Sequence, residues 1–298
     1  MIIRPRPGVL TLFFVLRHSV IRKVWPMVLG VGLISSLIVT LHRTAPEWVP
    51  AVNPTPFSLL GIALSIFLGF RNSAAYDRWW EARKLLGAMV IGVREVGRAT
   101  HVLADPGLRD WMLLHLVAWI RLVEHQLRGT EGPVALPVPM PDRPIAQRNP
   151  AEAMLQEIGA RLATEAREGR LGEVSWVRLD EGLGLLMKAQ AACERIKATP
   201  VPFGYALLLH RTAHPYCFLL PFGFADLIGW LTPILSLLVA YAFFGLDALA
   251  DEVEQPFGLE PNDLPLAAIA RNIEIELQAA RGIAELPEPL AAVDGLLH

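Results

Sequence analysis

The sequence predicts an all-helical integral membrane protein with four membrane-spanning helices and a large helical cytosolic region, and three observations lead there. The chain of 298 residues is 53% hydrophobic and 19% charged, with a mean hydropathy of +0.40, too apolar for an ordinary soluble protein. Long apolar stretches occur at residues 24–41, 57–70, 201–224 and 227–246, against the ~20 residues that a helix needs to cross a bilayer. Between the second and third, residues 72–200 carry charges of both signs at helical spacing, the pattern of soluble helices packed on one another.

The net charge of −2 and the isoelectric point near 6.5 provide no global basic field, so nucleic acid is not an expected partner. The two cysteines, Cys193 and Cys217, lack paired spacing and read as packing residues, with no metal site or disulfide framework indicated. Phosphate-loop, dinucleotide, zinc-hydrolase and serine-hydrolase motifs are absent, so no catalytic residue and no cofactor is assigned and the chain is not read as an enzyme.

Taken in order, Arg4, Arg6, Arg17, Arg22 and Lys23 precede the first span and place the N-terminus in the cytoplasm. Residues 9–16 are too short to cross and read as an interfacial helix; no cleavage pattern marks the segment for removal. A proline-rich outer loop, 42–55, leads to the stretch PFSLLGIALSIFLGFRNSAAYDRWWEAR, residues 56–83. It reads as one helix leaving the membrane, with Thr55 as N-cap, Pro56 in the first turn and no further proline until Pro106. At about 100° per residue, Ile62, Ile66 and Phe70 share one face, Gly69, Ser73 and Asp77 lie close to it, and Arg71 falls opposite. That stripe is either a helix-packing surface or a constriction opening into a wetter space.

In the polar region, Asp105 with Pro106 opens a helix ending at Gly129, Asn149 with Pro150 opens another ending near Gly169, and Ser175 opens a third. The intervening GPVALPVPMPDRP is an extended loop. The apolar LRDWMLLHLVAWIRLVEHQL carries Asp110, His115, Arg121 and Glu124 and reads as a buried cytosolic helix rather than a span. The third apolar stretch contains His210, Arg211 and His214; the two histidines have metal-pair spacing but no acidic partner nearby in sequence, and read as structural. Pro233 is expected to kink the last span, with Thr232 satisfying freed backbone groups. Asp247, Asp251, Glu252 and Glu254 then read as a solvated acidic face. Asp263 is expected to N-cap a last helix over 266–281, with Ile269, Ile273 and Leu277 as its docking stripe and a poorly ordered tail after Gly282. The domain reading is therefore 1–70 for the N-terminal segment and first membrane hairpin, 71–200 for the cytosolic helices, 201–246 for the second membrane pair and 247–298 for a cytosolic C-terminal segment.

FRNSAAYDRWWEAR (residues 70–83) and the block from PFGYALLLHRTAHPYCF to EVEQPFGLEPNDLPL (202–266) together resemble the prokaryotic branch of the bestrophin ion-channel family. The resemblance covers nearly the whole chain and is weakest across residues 104–174. It implies a homopentamer in the bacterial inner membrane, both termini cytoplasmic, with one axial pore passing small monovalent ions. It maps the family's apolar neck onto Ile62, Ile66 and Phe70, which favours a pore lining over packing. Ser73 and Asp77 are secondary lining candidates, Asp77 being equally readable as a salt-bridge partner of Arg78 or Arg83. Animal members follow the QPFG-like segment with an acidic run that helps hold calcium; Leu259, Glu260, Pro261, Asn262 and Asp263 stand there in this chain, so calcium activation is not expected. Resemblance to the prokaryotic branch, which looks more like a monovalent cation pathway than the anion-conducting animal branch, implies cation conduction, and no basic ring stands on the neck face. The alternatives are an anion (chloride) channel of the same architecture, a secondary carrier working through His210, Arg211 and His214, and a membrane scaffold or intramembrane enzyme.

Overall fold

The computed structural model describes residues 1–3, 8, 17 and 19–298; the interfacial helix expected over 9–16 lies outside them. Eight α-helices occur among the described residues: α1 (Ile21–Thr44), α2 (Thr55–Ala99), α3 (Pro106–Arg128), α4 (Pro150–Arg167), α5 (Glu173–Ala198), α6 (Phe203–Ile228), α7 (Thr232–Glu254) and α8 (Leu266–Ala280). They form two compact units, Arg4–Trp79 with Pro200–Gln255, and Met1–Ile3 with Trp80–Thr199 and Pro256–His298.

The first unit is the apolar one. Val24 and Val31 of α1, Leu64 and Leu68 of α2, Leu209, Cys217 and Leu220 of α6, and Ala240, Phe243 and Phe244 of α7 make its core. The helical stretches Ile21–Thr44, Thr55–Val102 and Phe203–Glu254 are long and apolar enough to cross a membrane. The last is divided into α6 and α7 at Gly229, whose φ of 52° is left-handed backbone and whose missing Cβ leaves room for the Arg43 guanidinium. Pro233 therefore does not kink a span. It sits in the first turn of α7, where its absent N–H costs nothing, and Thr232 Oγ1 donates to the Phe224 carbonyl at 3.1 Å. The prolines enclosed in helices are Pro26 in α1 and Pro215 and Pro221 in α6.

At 45 residues α2 is continuous, about 68 Å long at 1.5 Å per residue. The side chain at its start is Asn53, whose Oδ1 accepts the Thr55 N–H at 2.9 Å; Thr55 is already inside the first turn rather than capping it. Buried positions recur along one stripe at intervals of three and four: Leu64, Leu68, Arg71, Ala75, then Ala82, Leu86, Met89, Val93 and Val96.

The second unit is built on α3. Asp105 accepts the Gly107 N–H at 2.8 Å with Pro106 in the first turn, and Gly129 ends the helix at φ 67°, as expected. Helix α4 is capped by Asn149, accepting from Glu152 N–H at 3.1 Å, while α5 starts at Glu173 after Gly172, two residues before Ser175. The apolar segment of α3 is enclosed by α4, α5 and α8, which explains its membrane-like composition. Trp119 is fully buried and donates through Nε1 to Gln190 Oε1 at 2.7 Å; Gln190 and Asn149 in turn donate to Glu194 at 2.8 and 3.0 Å. Trp119→Ala is expected to cost about 3–5 kcal/mol, because it opens a cavity and strands the Gln190 oxygen, and chemical unfolding followed by circular dichroism would measure it. Cys193 is buried and its thiol is pushed up to about 12 by desolvation, in line with a packing role.

Two expectations fail at the C-terminal end. Asp263 does not cap α8: it is buried and its Oδ2 accepts the Glu260 N–H at 2.7 Å, closing a loop, while Pro265 precedes the helix. The tail is not loose, because it returns to the N-terminal residues through an Ile2–Leu296 bridge, and the His298 carbonyl accepts the Ala268 N–H in the first turn of α8 at 2.7 Å. Ile273 and Leu277 are buried as the docking stripe requires, with Ile269 half-buried.

Candidate functional site

The face of α2 opposite its buried stripe carries the predicted neck. Ile62, Ile66 and Phe70 are 60%, 53% and 68% exposed, as are Leu59 and Phe67 of the same helix at 63% and 54%, whereas Leu64 and Leu68 are 4% and 2% exposed. Ser73 and Asp77 continue the exposed face towards the second half of the helix. Among the described residues no ion pair joins Asp77 to Arg78 or Arg83. All five side chains are thus presented together along one line of the helix, uncovered by the rest of the chain.

What holds that line in place lies behind it. Gly61 lets the Tyr216 hydroxyl of α6 approach within 2.3 Å of where a Cβ would stand, so α6 seats directly against the neck level of α2. Immediately after Phe70, Arg71 points inward with a side chain 3% exposed. Its guanidinium donates to Asp247 and Asp251 of α7 and stands 3.9 Å from Glu254. Asp247 also meets His210 Nδ1 of α6 at 2.7 Å, and Lys23 of α1 pairs with buried Glu252 at 2.9 Å. Arg78 Nε adds a bond to the Glu254 carbonyl at 3.1 Å.

The acidic run after Leu246 is therefore not a solvated face. Asp247 and Glu252 are buried, and Asp251 is the member whose side chain stays largely in water, at 59% exposure. The physical reason is the position of Arg71, which must leave an apolar helix on its buried side and cannot remain charged there without carboxylate partners. The cluster joins every helix of the unit, and local sequence reading missed it. The signal was available in the expected topology: two apolar stretches read as ending on the same side of a membrane, one in a guanidinium and one in carboxylates, would bring those charges to one depth.

The histidines are placed as structural groups. His214 stacks on Phe244 with ring centroids 4.6 Å apart and lies edge-on to His210 at 4.4 Å, and the acidic partner absent from their own stretch is supplied by Asp247. Among the described residues no group of three His, Cys, Asp or Glu side chains could hold a metal ion.

A family model described as Bacterial/Fungal Bestrophin protein matches residues 1–279. The chain belongs to the bestrophin family. A bestrophin relative from Mesorhizobium japonicum, named a voltage-dependent anion channel-forming protein, is 43% identical over 286 residues, covering 95% of this chain and 93% of its own. One of the same name from Escherichia coli is 36% identical over 293 residues, covering 96% of each. The crystal structure of a bacterial bestrophin homologue from Klebsiella pneumoniae superposes with a TM-score of 0.78 at 34% identity, over 86% of this chain and 97% of that one. The bestrophins are ion channels, not enzymes, and the all-helical architecture here is the bestrophin fold.

Proposed function

We propose that this bestrophin is a passive ion channel, assembled as a homopentamer in the bacterial inner membrane, whose pore runs along the exposed face of α2. The observation that carries the reading is the line of uncovered Ile62, Ile66 and Phe70 on a helix otherwise buried on its opposite side. A fivefold axis along this face turns the three side chains into three apolar rings, which gate by dewetting because they offer ions no replacement for lost hydration. Ser73 and Asp77 then form hydroxyl and carboxylate rings beyond the neck. Four membrane helices follow, from α1, the first part of α2, α6 and α7, with both termini cytoplasmic because Arg22, Lys23, Arg78 and Arg83 flank the spans on one side. Residues 1–70 and 201–246 supply the two membrane hairpins, and 71–200 and 247–298 the cytosolic part.

The relatives are named for anions, and anions are the permeant class we assign, replacing the cation preference drawn from the sequence. A cation-conducting pore is the second reading, favoured by the exposed Asp77 carboxylate on the neck side of α2. Reversal potentials of purified protein in planar bilayers, under an asymmetric monovalent salt gradient, decide between them. A potential near the anion equilibrium value is expected. One near the cation value would transfer selectivity to Asp77 and predict that Asp77→Asn weakens it, and flat traces from inserted pentamers would remove the channel reading.

A further inference from the structure

A cavity of about 460 Å³ opens in the second unit between α3 and α8, within the ~300–1,000 Å³ of small-molecule sites. Its charged lining is uneven: the guanidiniums of Arg121, Arg128 and Arg271 face the carboxylates of Glu124 and Glu274. Glu274 is buried and shared, its two oxygens meeting Arg121 and, at 3.5 Å, Arg271. One carboxylate thus answers two guanidiniums. Arg128 spends its N–H groups on neutral acceptors, the carbonyls of Phe257 at 3.0 Å, Gly258, and Leu264 at 3.4 Å, which fix it in place, while Glu124 and Asp263 interact with its charge at longer range. Burial raises the Glu124 carboxyl from its ordinary value, against the opposing pull of Arg128, Arg271 and Arg121.

Arg271 is the group left with capacity. Its ion pair to Glu274 is long at 3.5 Å, Glu124 interacts with its charge without a hydrogen bond, and its side chain, 34% exposed, lines the cavity. A planar guanidinium with free N–H groups, beside two more that are anchored, is a preorganised receptor for oxyanions. In a chain of net charge −2 this concentration of positive charge is local to the cavity and owes nothing to the global field.

We propose that the cavity binds a small dianion through its oxyanion groups, either phosphate or paired carboxylates, with Arg271 as the principal contact and Arg121 and Arg128 as the fixed positive wall. None of the residues assigned to the pore lines this cavity, so the proposal does not depend on the channel reading. Isothermal titration of the full-length protein in detergent, with inorganic phosphate in one arm and succinate in the other at constant ionic strength in chloride, tests it. Saturable binding of at least one anion at one site per chain is expected, and the arm that saturates assigns the ligand to phosphate or carboxylate chemistry. Arg271→Gln is expected to weaken that binding at least tenfold, and Ala267→Phe, which fills the cavity without touching charge, to do the same. Arg161→Gln, on α4 and paired with Glu165, should leave it unchanged. Absence of saturation with both anions up to millimolar concentrations, or undiminished binding in Arg271→Gln and Ala267→Phe, would overturn the proposal.

Discussion

Replacing Ile66 and Phe70 together with alanine is expected to raise unitary conductance several-fold and to flatten any rectification, while leaving stability nearly unchanged. The two side chains are more than half exposed, and truncating exposed residues normally shifts stability by no more than about 0.5 kcal/mol. A pore-lining ring acts differently. Each apolar side chain that narrows the pore forces ions to shed water against a surface that returns nothing, so removing it lowers a barrier. A reduction of about 1.4 kcal/mol is already tenfold in rate. Packing residues would give the opposite pair of results: lower thermal stability or fewer assembled pentamers, with unchanged current through each surviving channel. Single-channel recording and thermal unfolding of the same preparation therefore separate the two roles of the stripe, and unchanged current with lost stability removes Ile62, Ile66 and Phe70 from the pore.

The phase of that stripe was legible in the sequence, because spacing on an α-helix is a local property and nothing between Pro56 and Pro106 interrupts α2. The caps at Asp105 and Asn149 were legible for the same reason, each acting on a backbone N–H two or three residues away. Other features were set by partners distant in the chain. Asp247 and Glu252 looked solvated because an acidic run by itself normally is, and their guanidinium and ammonium partners come from Arg71 and Lys23. Asp263 has the residue type and position of a helix cap, yet the turn from Glu260 competes for its carboxylate and wins. Pro233 was misplaced because the break between α6 and α7 is made four residues earlier by a left-handed glycine, which leaves the proline at a helix start. The exposure of Ile62, Ile66 and Phe70 was beyond periodicity altogether, since the same spacing serves a packed face and an open one.

Arg71→Met is expected to be the most damaging single change in the apolar unit, costing about 3–5 kcal/mol, because it removes the cation and leaves the carboxylates behind. Asp247 would then remain buried with only His210 beside it. Adding Asp247→Asn to Arg71→Met should recover part of the loss by neutralising that stranded charge, a non-additivity that a double-mutant cycle reads directly. Arg71→Lys should fall between the native chain and Arg71→Met. An ammonium keeps the charge, but only the guanidinium fork presents separate nitrogens to Asp247 and Asp251 at once. Arg83→Met is the control, exposed and without an ion pair among the described residues, and should shift stability by no more than about 0.5 kcal/mol. Thermal unfolding of these variants together with Asp247→Asn alone, in detergent, orders them and closes the cycle, and equal behaviour of Arg71→Met and Arg83→Met would show that the cluster contributes nothing. The functional consequence follows from adjacency. Arg71 is the next residue after Phe70 and points the opposite way, so whatever fixes its guanidinium to α7 fixes the rotation of α2, and with it the direction in which the neck side chains face.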